Sequence, residues 1–212
     1  MPRRPLSLPL TLAAVACFAA TAAAGQATAR FGPDGVWTLP EAAWTACLKQ
    51  NADATGCLTS LMRDGGASPQ AVEINKRLDG EGYMAAFRET GRVDVAEVTF
   101  PLRANSNEVA YLVNGEPPLV SSELDADIPG LAANAQYAAI KKAHPDVMTW
   151  PVGEGPREVE TLADGGQGFA FAYALLNGCH ACEVLGHVAV SFDFGPDGTF
   201  HGQRLVSVEP AP

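Results

Sequence analysis

The sequence has little positive charge: 14 Lys and Arg residues stand against 24 Asp and Glu, and the formal net charge is −10 at pH 7. A protein that binds nucleic acid through its phosphates needs a basic surface, so this function class is excluded. An anionic membrane surface is disfavoured for the same reason, and a cationic partner suits the charge better. Hydrophobic residues make up 47% of the chain, which is typical of a globular protein.

Beyond residue 30 the sequence lacks any apolar run long enough to cross a membrane. The first 29 residues differ, because two arginines precede an apolar, alanine-rich run and two A-x-A sites follow it. This pattern predicts a secretory signal peptide over 1–29, cleaved after Ala24 or Ala29. We therefore expect a periplasmic or secreted protein with no membrane span.

The motifs that mark common catalytic sites are also missing. There is no glycine-rich phosphate loop after a predicted strand, no G-x-S-x-G and no H-E-x-x-H. Acidic residues are numerous but scattered, and no pair is marked as a general acid and base. Of the four histidines, His144 is expected at a helix end, and His187 and His201 on an exposed strand face. We predict a protein that is not an enzyme, with no metal and no cofactor.

Cysteine is scarce, with five residues, of which four lie beyond the predicted leader: Cys47, Cys57, Cys179 and Cys182. An even number of cysteines in an oxidising compartment favours disulfides. Three connectivities are possible, and the local one, Cys47–Cys57 with Cys179–Cys182, fits the spacing best. The first bond would join two neighbouring helices, and the second would close a very small ring.

The residue pattern predicts an α+β fold, with short N-terminal helices followed by a mostly antiparallel sheet. A capping box at Thr38 opens the first helix, and Ser68-Pro69 opens the third. The predicted helices cover 38–49, 55–64, 70–78 and about 131–143, and the early strands cover 83–90, 93–100 and 109–113. We expect a single domain over 30–212, with the acidic loop 121–130 as the one candidate point of division.

Three predicted strands follow the last helix. Large residues alternate with alanines over 169–175, and 187–194 alternates between apolar and polar residues. The turn Gly195–Gly198 then predicts a hairpin. Its expected pairs are Phe194 with Phe200, Asp193 with His201 and Val188 with Val206. This register places Arg204 on the apolar face unless a bulge lies near Gly202.

The loop between the first two of these strands carries the most distinctive residues, Gly178-Cys179-His180-Ala181-Cys182-Glu183. A thioredoxin-like pair normally places its first cysteine at a helix N-terminus, whereas strands are predicted on both sides here. Haem attachment needs a histidine directly after the second cysteine, where Glu183 stands. The pattern favours a disulfide-held binding loop at a sheet end, and thiol-redox or metal handling by Cys179 and Cys182 stays an alternative.

From about 137 to 208 the sequence resembles the bacterial inhibitor of vertebrate lysozyme. The resemblance rests on the step from Pro145 to Trp150, the run 156–162, and a histidine loop between two cysteines that precedes an alternating strand. The loop here holds two residues between its cysteines, where the family's loop holds four. The resemblance implies a non-enzymatic binding protein whose loop histidine, here His180, enters the cleft of a lysozyme.

We therefore expect an exported protein that presents loop 178–183 to a basic muramidase or another periplasmic protein. A purely structural exported module is a further alternative. The N-terminal half, 30–130, has no counterpart in the family. Two interpretations of it stay open: an added layer on the same sheet, or a second small domain that ends near 121–130.

Overall fold

The computed structural model describes residues 30–124 and 128–212, which form four α-helices and two antiparallel sheets. This is the predicted α+β class, with short helices first and most strands later. The predicted signal peptide 1–29 and residues 125–127 of the predicted acidic loop lie outside the described residues. None of the helices in the described ranges is long and apolar enough to cross a membrane.

The N-terminal half forms the first sheet and three helices. A 3-10 turn at Pro33–Gly35 is followed by α1 Glu41–Gln50, α2 Ala54–Asp64, α3 Pro69–Arg77, β1 Tyr83–Arg88, β2 Asp94–Thr99, β3 Glu108–Val113 and β4 Leu119–Ser121. The strands pair in chain order, so this sheet is a simple antiparallel meander.

The C-terminal half forms one helix and the second sheet. Its elements are α4 Ala135–Ala143, β5 Val147–Val152, β6 Glu158–Thr161, β7 Gln167–Asn177, β8 Val184–Phe194 and β9 Phe200–Pro210. The strand order is β5-β7-β8-β9, and β6 also pairs with β7. β5 pairs with residues 172–177 of β7 and β6 with 167–170, so the two short strands lie in line on one edge.

Helix starts follow their capping side chains, with one exception. The Ser68 hydroxyl accepts a hydrogen bond from the Ala71 N–H at 3.0 Å, as the predicted cap requires, and α3 begins at Pro69, one residue before the predicted start. The predicted capping box at Thr38 is wrong, because α1 begins at Glu41 without a side-chain cap. The preceding chain is extended instead, since the Trp37 N–H donates to the Met84 carbonyl at 2.9 Å.

The fourth helix is shorter than predicted. Asn134 accepts hydrogen bonds from the N–H groups of Gln136 and Tyr137, and α4 therefore begins at Ala135 instead of near 131. Five strands follow α4, because β5 and β6 precede the three that the alternating pattern predicts. β6 has only four residues, and β5 lacks the alternation and contains Pro151, which weakens a strand prediction.

The two sheets pack face to face on one shared hydrophobic core. The second sheet contributes the large residues of the alternating strand, Phe169, Phe171, Tyr173 and Leu175, each at most 5% exposed. Residues of the first sheet and the chain around it complete the cluster, among them Val93, Val95, Ala110 and Leu112. The Tyr173 hydroxyl donates to the Ser122 carbonyl at 2.6 Å, and burial raises the pKa of Tyr173.

The opposite face of the first sheet is covered by α3 and by Phe31 near the start of the described chain. A third cluster joins α1 and α2 around Leu58 and Met62. Cys47 and Cys57 lie at disulfide distance between these two helices, with their Cα atoms 5.9 Å apart. This pair and the local connectivity are as predicted.

The final hairpin contains two bulges that the predicted register lacks. Phe194 lies opposite Phe200, as predicted, but Asp193 pairs with Gly202 and Val188 with Val208. The predicted pairs Asp193–His201 and Val188–Val206 are therefore wrong, since each bulge inserts one unpaired residue into β9. The bulge near Gly202 is confirmed, and it turns Arg204 to the outer face, where its guanidinium lies 2.7 Å from Asp193 and 3.1 Å from Glu160.

Candidate binding loop

The loop 178–183 connects β7 and β8, two neighbouring strands of 11 residues in the second sheet. β7 ends at Asn177 and β8 begins at Val184, so strands flank the loop on both sides. The Asn177 N–H donates to the Glu183 carbonyl at 3.0 Å, which closes the base of the loop. Gly178 has φ +79°, a left-handed conformation that lets the chain turn out of the strand.

A tight turn holds the two cysteines of the loop together. The Cys182 N–H donates to the Cys179 carbonyl at 3.0 Å, and the two Cα atoms lie 5.1 Å apart with the sulfurs at disulfide distance. All six residues from Gly178 to Glu183 are exposed. The loop is therefore a short, closed projection at one end of the sheet.

His180 lies against an aromatic side chain of a neighbouring strand. Its ring centroid is 5.0 Å from that of Trp150, with an angle of 45° between the planes. Trp150 lies on β5, opposite Ala174 of β7, on the outer face of the second sheet. Because Ala174 is small, the indole sits over the sheet without a bulky neighbour from β7. The structure thus supports His180 on a half-buried tryptophan.

The Trp150–His180 pair could not be predicted from the sequence pattern. Trp150 contributes to the family resemblance, but nothing in the sequence places it beside the loop. The contact depends on the register between β5 and β7, and β5 lacks an alternating pattern. The only sequence feature that pointed to this contact was the presence of a tryptophan, Trp150, in the segment before the alternating strand.

The described cysteines are all paired, so their thiols are not available as ligands or nucleophiles in this state. Within residues 30–124 and 128–212, no group of three or more His, Cys, Asp or Glu is placed to hold a metal ion. His144 is the C-cap residue of α4, and His187 and His201 are exposed on the second sheet. These three positions are as predicted.

A second group of ionisable residues lies between the sheets, away from the loop. Glu97 on β2 and Glu154 in the β5–β6 connection line a cavity of about 360 Å³. Burial raises the pKa of the Glu97 carboxyl above its usual value, and the charges of Glu154 and Glu108 raise it further. The charged form of Glu97 is therefore unfavourable in the folded protein.

This shift predicts that Glu97→Gln stabilises the protein at neutral pH. A carboxyl whose pKa is raised by folding favours the folded state below its unfolded pKa, and that contribution is lost as the pH rises through its folded pKa. We expect a gain of about 0.5 kcal/mol at pH 7.5, where the repulsion is removed, and no gain near pH 3. Urea unfolding at both pH values measures this.

Glu89→Gln is the matched control, because it removes the same charge from an exposed position just after β1. It measures the effect of net charge alone. A Glu97→Gln variant whose stability relative to wild type is the same at pH 3 and pH 7.5 would contradict the assignment.

Fold and site together define a two-sheet α+β protein that carries a cysteine-closed, aromatic-supported loop at one sheet end. Comparison with protein-family models, with curated proteins and with solved structures finds no match for this chain.

Proposed function

We propose that the protein is an exported, non-enzymatic binding protein of the lysozyme-inhibitor type, which presents loop 178–183 to the active-site cleft of a basic muramidase. The observation that carries the proposal is the exposed His180 ring, held by the Cys179–Cys182 closure and by Trp150. The leader pattern and the paired cysteines support export.

The closed loop suits binding because its conformational freedom is already reduced. A turn fixed by a covalent bond and by a ring contact loses little entropy when a partner arrives, and such preorganisation increases affinity. The loop holds two residues between its cysteines, so the contact surface is His180 together with Trp150 instead of a long protrusion. Aromatic side chains of this kind are frequent anchors of protein interfaces.

The chemistry of the pair matches a glycosidase cleft. The imidazole of His180 can donate a hydrogen bond to the carboxylates that muramidases use for acid and nucleophilic or base catalysis. The negative charge of the chain would accelerate the encounter with a basic enzyme, and this effect should weaken as salt is added.

The test is to titrate the purified mature protein against lysozyme and against a lytic transglycosylase. We expect saturable inhibition of at least one enzyme at micromolar concentration, weaker at high salt. His180→Ala should weaken inhibition by about tenfold or more, because it removes the residue that anchors the interface. Trp150→Ala should have a similar effect, because it removes the side chain that supports His180. Failure of the wild type to inhibit either enzyme would refute the proposal.

His201→Ala is the matched control for this experiment. His201 is an exposed histidine in the β8–β9 hairpin, at the end of the second sheet opposite the loop. Its removal should leave inhibition unchanged. If His180→Ala inhibits as well as the wild type, the binding function survives but its assignment to His180 does not.

A second candidate is thiol-redox function, which the exposure of Cys179 and Cys182 favours. It predicts that the pair exchanges with glutathione and that a Cys179→Ser/Cys182→Ser variant loses this exchange. The binding proposal predicts no free thiol in the native protein and no exchange at physiological glutathione. Thiol counting before and after glutathione treatment therefore separates the two functions.

A further inference from the structure

Helix α4 is attached to the core by few side chains. None of its nine residues is buried, and only Tyr137 and Ile140 pack as partly buried residues against the shared core. Cavities lie on both long sides of the helix, with volumes of about 570 Å³ and 480 Å³. The space beside α4 is therefore open to a ligand without any movement of the sheets.

The larger cavity is lined by four apolar residues, one tyrosine and two lysines. Its floor is made by Ile128 and Leu131, which are 6% and 5% exposed and belong to the shared core. Ala132, Tyr137 and Ala138 line it as well. A volume of this size lies within the range of about 300–1,000 Å³ found for small-molecule sites, and the apolar part of its lining can contact a hydrocarbon chain.

Two positive charges stand at the same cavity. Lys141 and Lys142 line it from the last turn of α4, and both are exposed. Neither forms an ion pair with a carboxylate among residues 30–124 and 128–212. In a chain whose net charge is −10, this pair makes a local site for an anion next to an apolar surface.

We propose that this cavity binds the chain of a free medium-chain fatty acid, with the carboxylate at Lys141 and Lys142. The apolar floor accepts the methylene groups, and the lysines select an anionic head over a neutral one. The volume suits a single chain, which favours a free fatty acid over a two-chain lipid. This site is separate from loop 178–183, so it does not depend on the proposed function.

The test is calorimetric titration of the full mature protein with decanoate, with hexanoate and decanol beside it. We expect one saturable site for decanoate. Hexanoate should bind more weakly, by up to about fourfold for each methylene removed, because each buried methylene contributes to binding. Decanol should bind at least about tenfold more weakly than decanoate. Titration with phosphatidylglycerol vesicles separates a two-chain anionic lipid from a free acid, and we expect no saturable binding there.

Two variants locate the site. Lys141→Glu with Lys142→Glu should weaken decanoate binding by about tenfold or more and leave decanol unchanged. Ala138→Trp fills the cavity from an exposed helix position, and it should abolish binding of both compounds. Lys76→Glu on α3 is the matched control and should bind decanoate normally. Circular dichroism shows that each variant is folded.

Several results would overturn the inference. One is that decanoate fails to bind the wild type at millimolar concentration, and another is that decanol binds as tightly as decanoate. The others are that decanoate binds Ala138→Trp or the double lysine variant as tightly as the wild type, or that phosphatidylglycerol vesicles bind saturably and as tightly as decanoate. Each can occur whether or not the protein inhibits a muramidase.

Discussion

Replacement of Phe194 by alanine is expected to lower the free energy of unfolding by about 3–5 kcal/mol. The side chain is fully buried, and its ring centroid lies 5.8 Å from that of Phe169 and 5.0 Å from that of Phe200. The same ring contacts Gly115 in the turn after β3, where an added Cβ would lie 2.8 Å from a ring carbon. The residue therefore joins the second sheet to the first, and its removal leaves a cavity between them.

The positions of the tryptophans make this experiment informative about the whole fold. Trp37 and Trp44 belong to the helical cluster of the N-terminal half, whereas Trp150 lies on β5. In variants that keep either Trp150 or the other two tryptophans, urea unfolding should be a single transition, and Phe194→Ala should lower the free energy of unfolding by the same amount in both backgrounds.

Val206→Ala is the control, because this side chain is 49% exposed at a bulge of β9. It should change stability by no more than about 0.5 kcal/mol. If Phe194→Ala shifts the unfolding midpoint only in the variant that keeps Trp150, the two halves unfold separately. The boundary between two domains would then lie near 121–130.

Replacement of Asp94 by alanine is the second large effect we expect, at about 3 kcal/mol. Asp94 is fully buried, and its carboxylate accepts hydrogen bonds from the Thr90 N–H at 2.9 Å, the Asn114 side-chain amide at 2.7 Å and Arg30 at 2.8 Å. Its loss leaves one N–H of the part-buried Asn114 amide and the backbone N–H groups of Thr90 and Gly91 without this acceptor. The Asn114 side-chain amide also accepts a hydrogen bond from the Phe31 N–H and donates one to the Phe31 carbonyl. Because Asp94 holds Asn114 in place, its loss weakens the attachment of the segment around Phe31.

The measurement is urea unfolding together with limited proteolysis near residue 30. Asp94→Ala should lower stability and expose this segment to cleavage. Arg30→Ala should cost less than about 1 kcal/mol, because the Arg30 side chain is 52% exposed and solvent screens its ion pair. Equal losses for the two variants would show that the ion pair, and not the hydrogen-bond network, holds the segment.

Local rules predicted the elements that are specified by neighbouring residues. The alternation over 169–175 gave a strand whose large face is buried, and Ser68 with Pro69 gave the start of α3. Both depend on periodicity or on a cap within a few residues. The Thr38 capping box satisfied the same local rule, but pairing of Trp37 with Met84 of β1 holds this segment extended, and tertiary contact overrides local preference there.

Features that depend on register were not predictable in the same way. Each bulge in β9 changes which residues face the core. Only the bulge near Gly202 could be suspected from the sequence, because without it Arg204 would lie on the apolar face. For the candidate site, the loop residues and the cysteine pair followed from the sequence. The support of His180 by Trp150 did not, because it requires the pairing of β5 with β7.

The in-line arrangement of β5 and β6 has a consequence for the behaviour of the protein at high concentration. An uninterrupted edge strand offers a row of free N–H and C=O groups that can recruit another chain and start aggregation. Here the edge is broken by the connection 153–157, and Pro151 removes one N–H from it. The opposite edge, β9, is distorted by its two bulges and packs against α4. Neither edge of the second sheet is a regular template, so this sheet resists fibre-like growth.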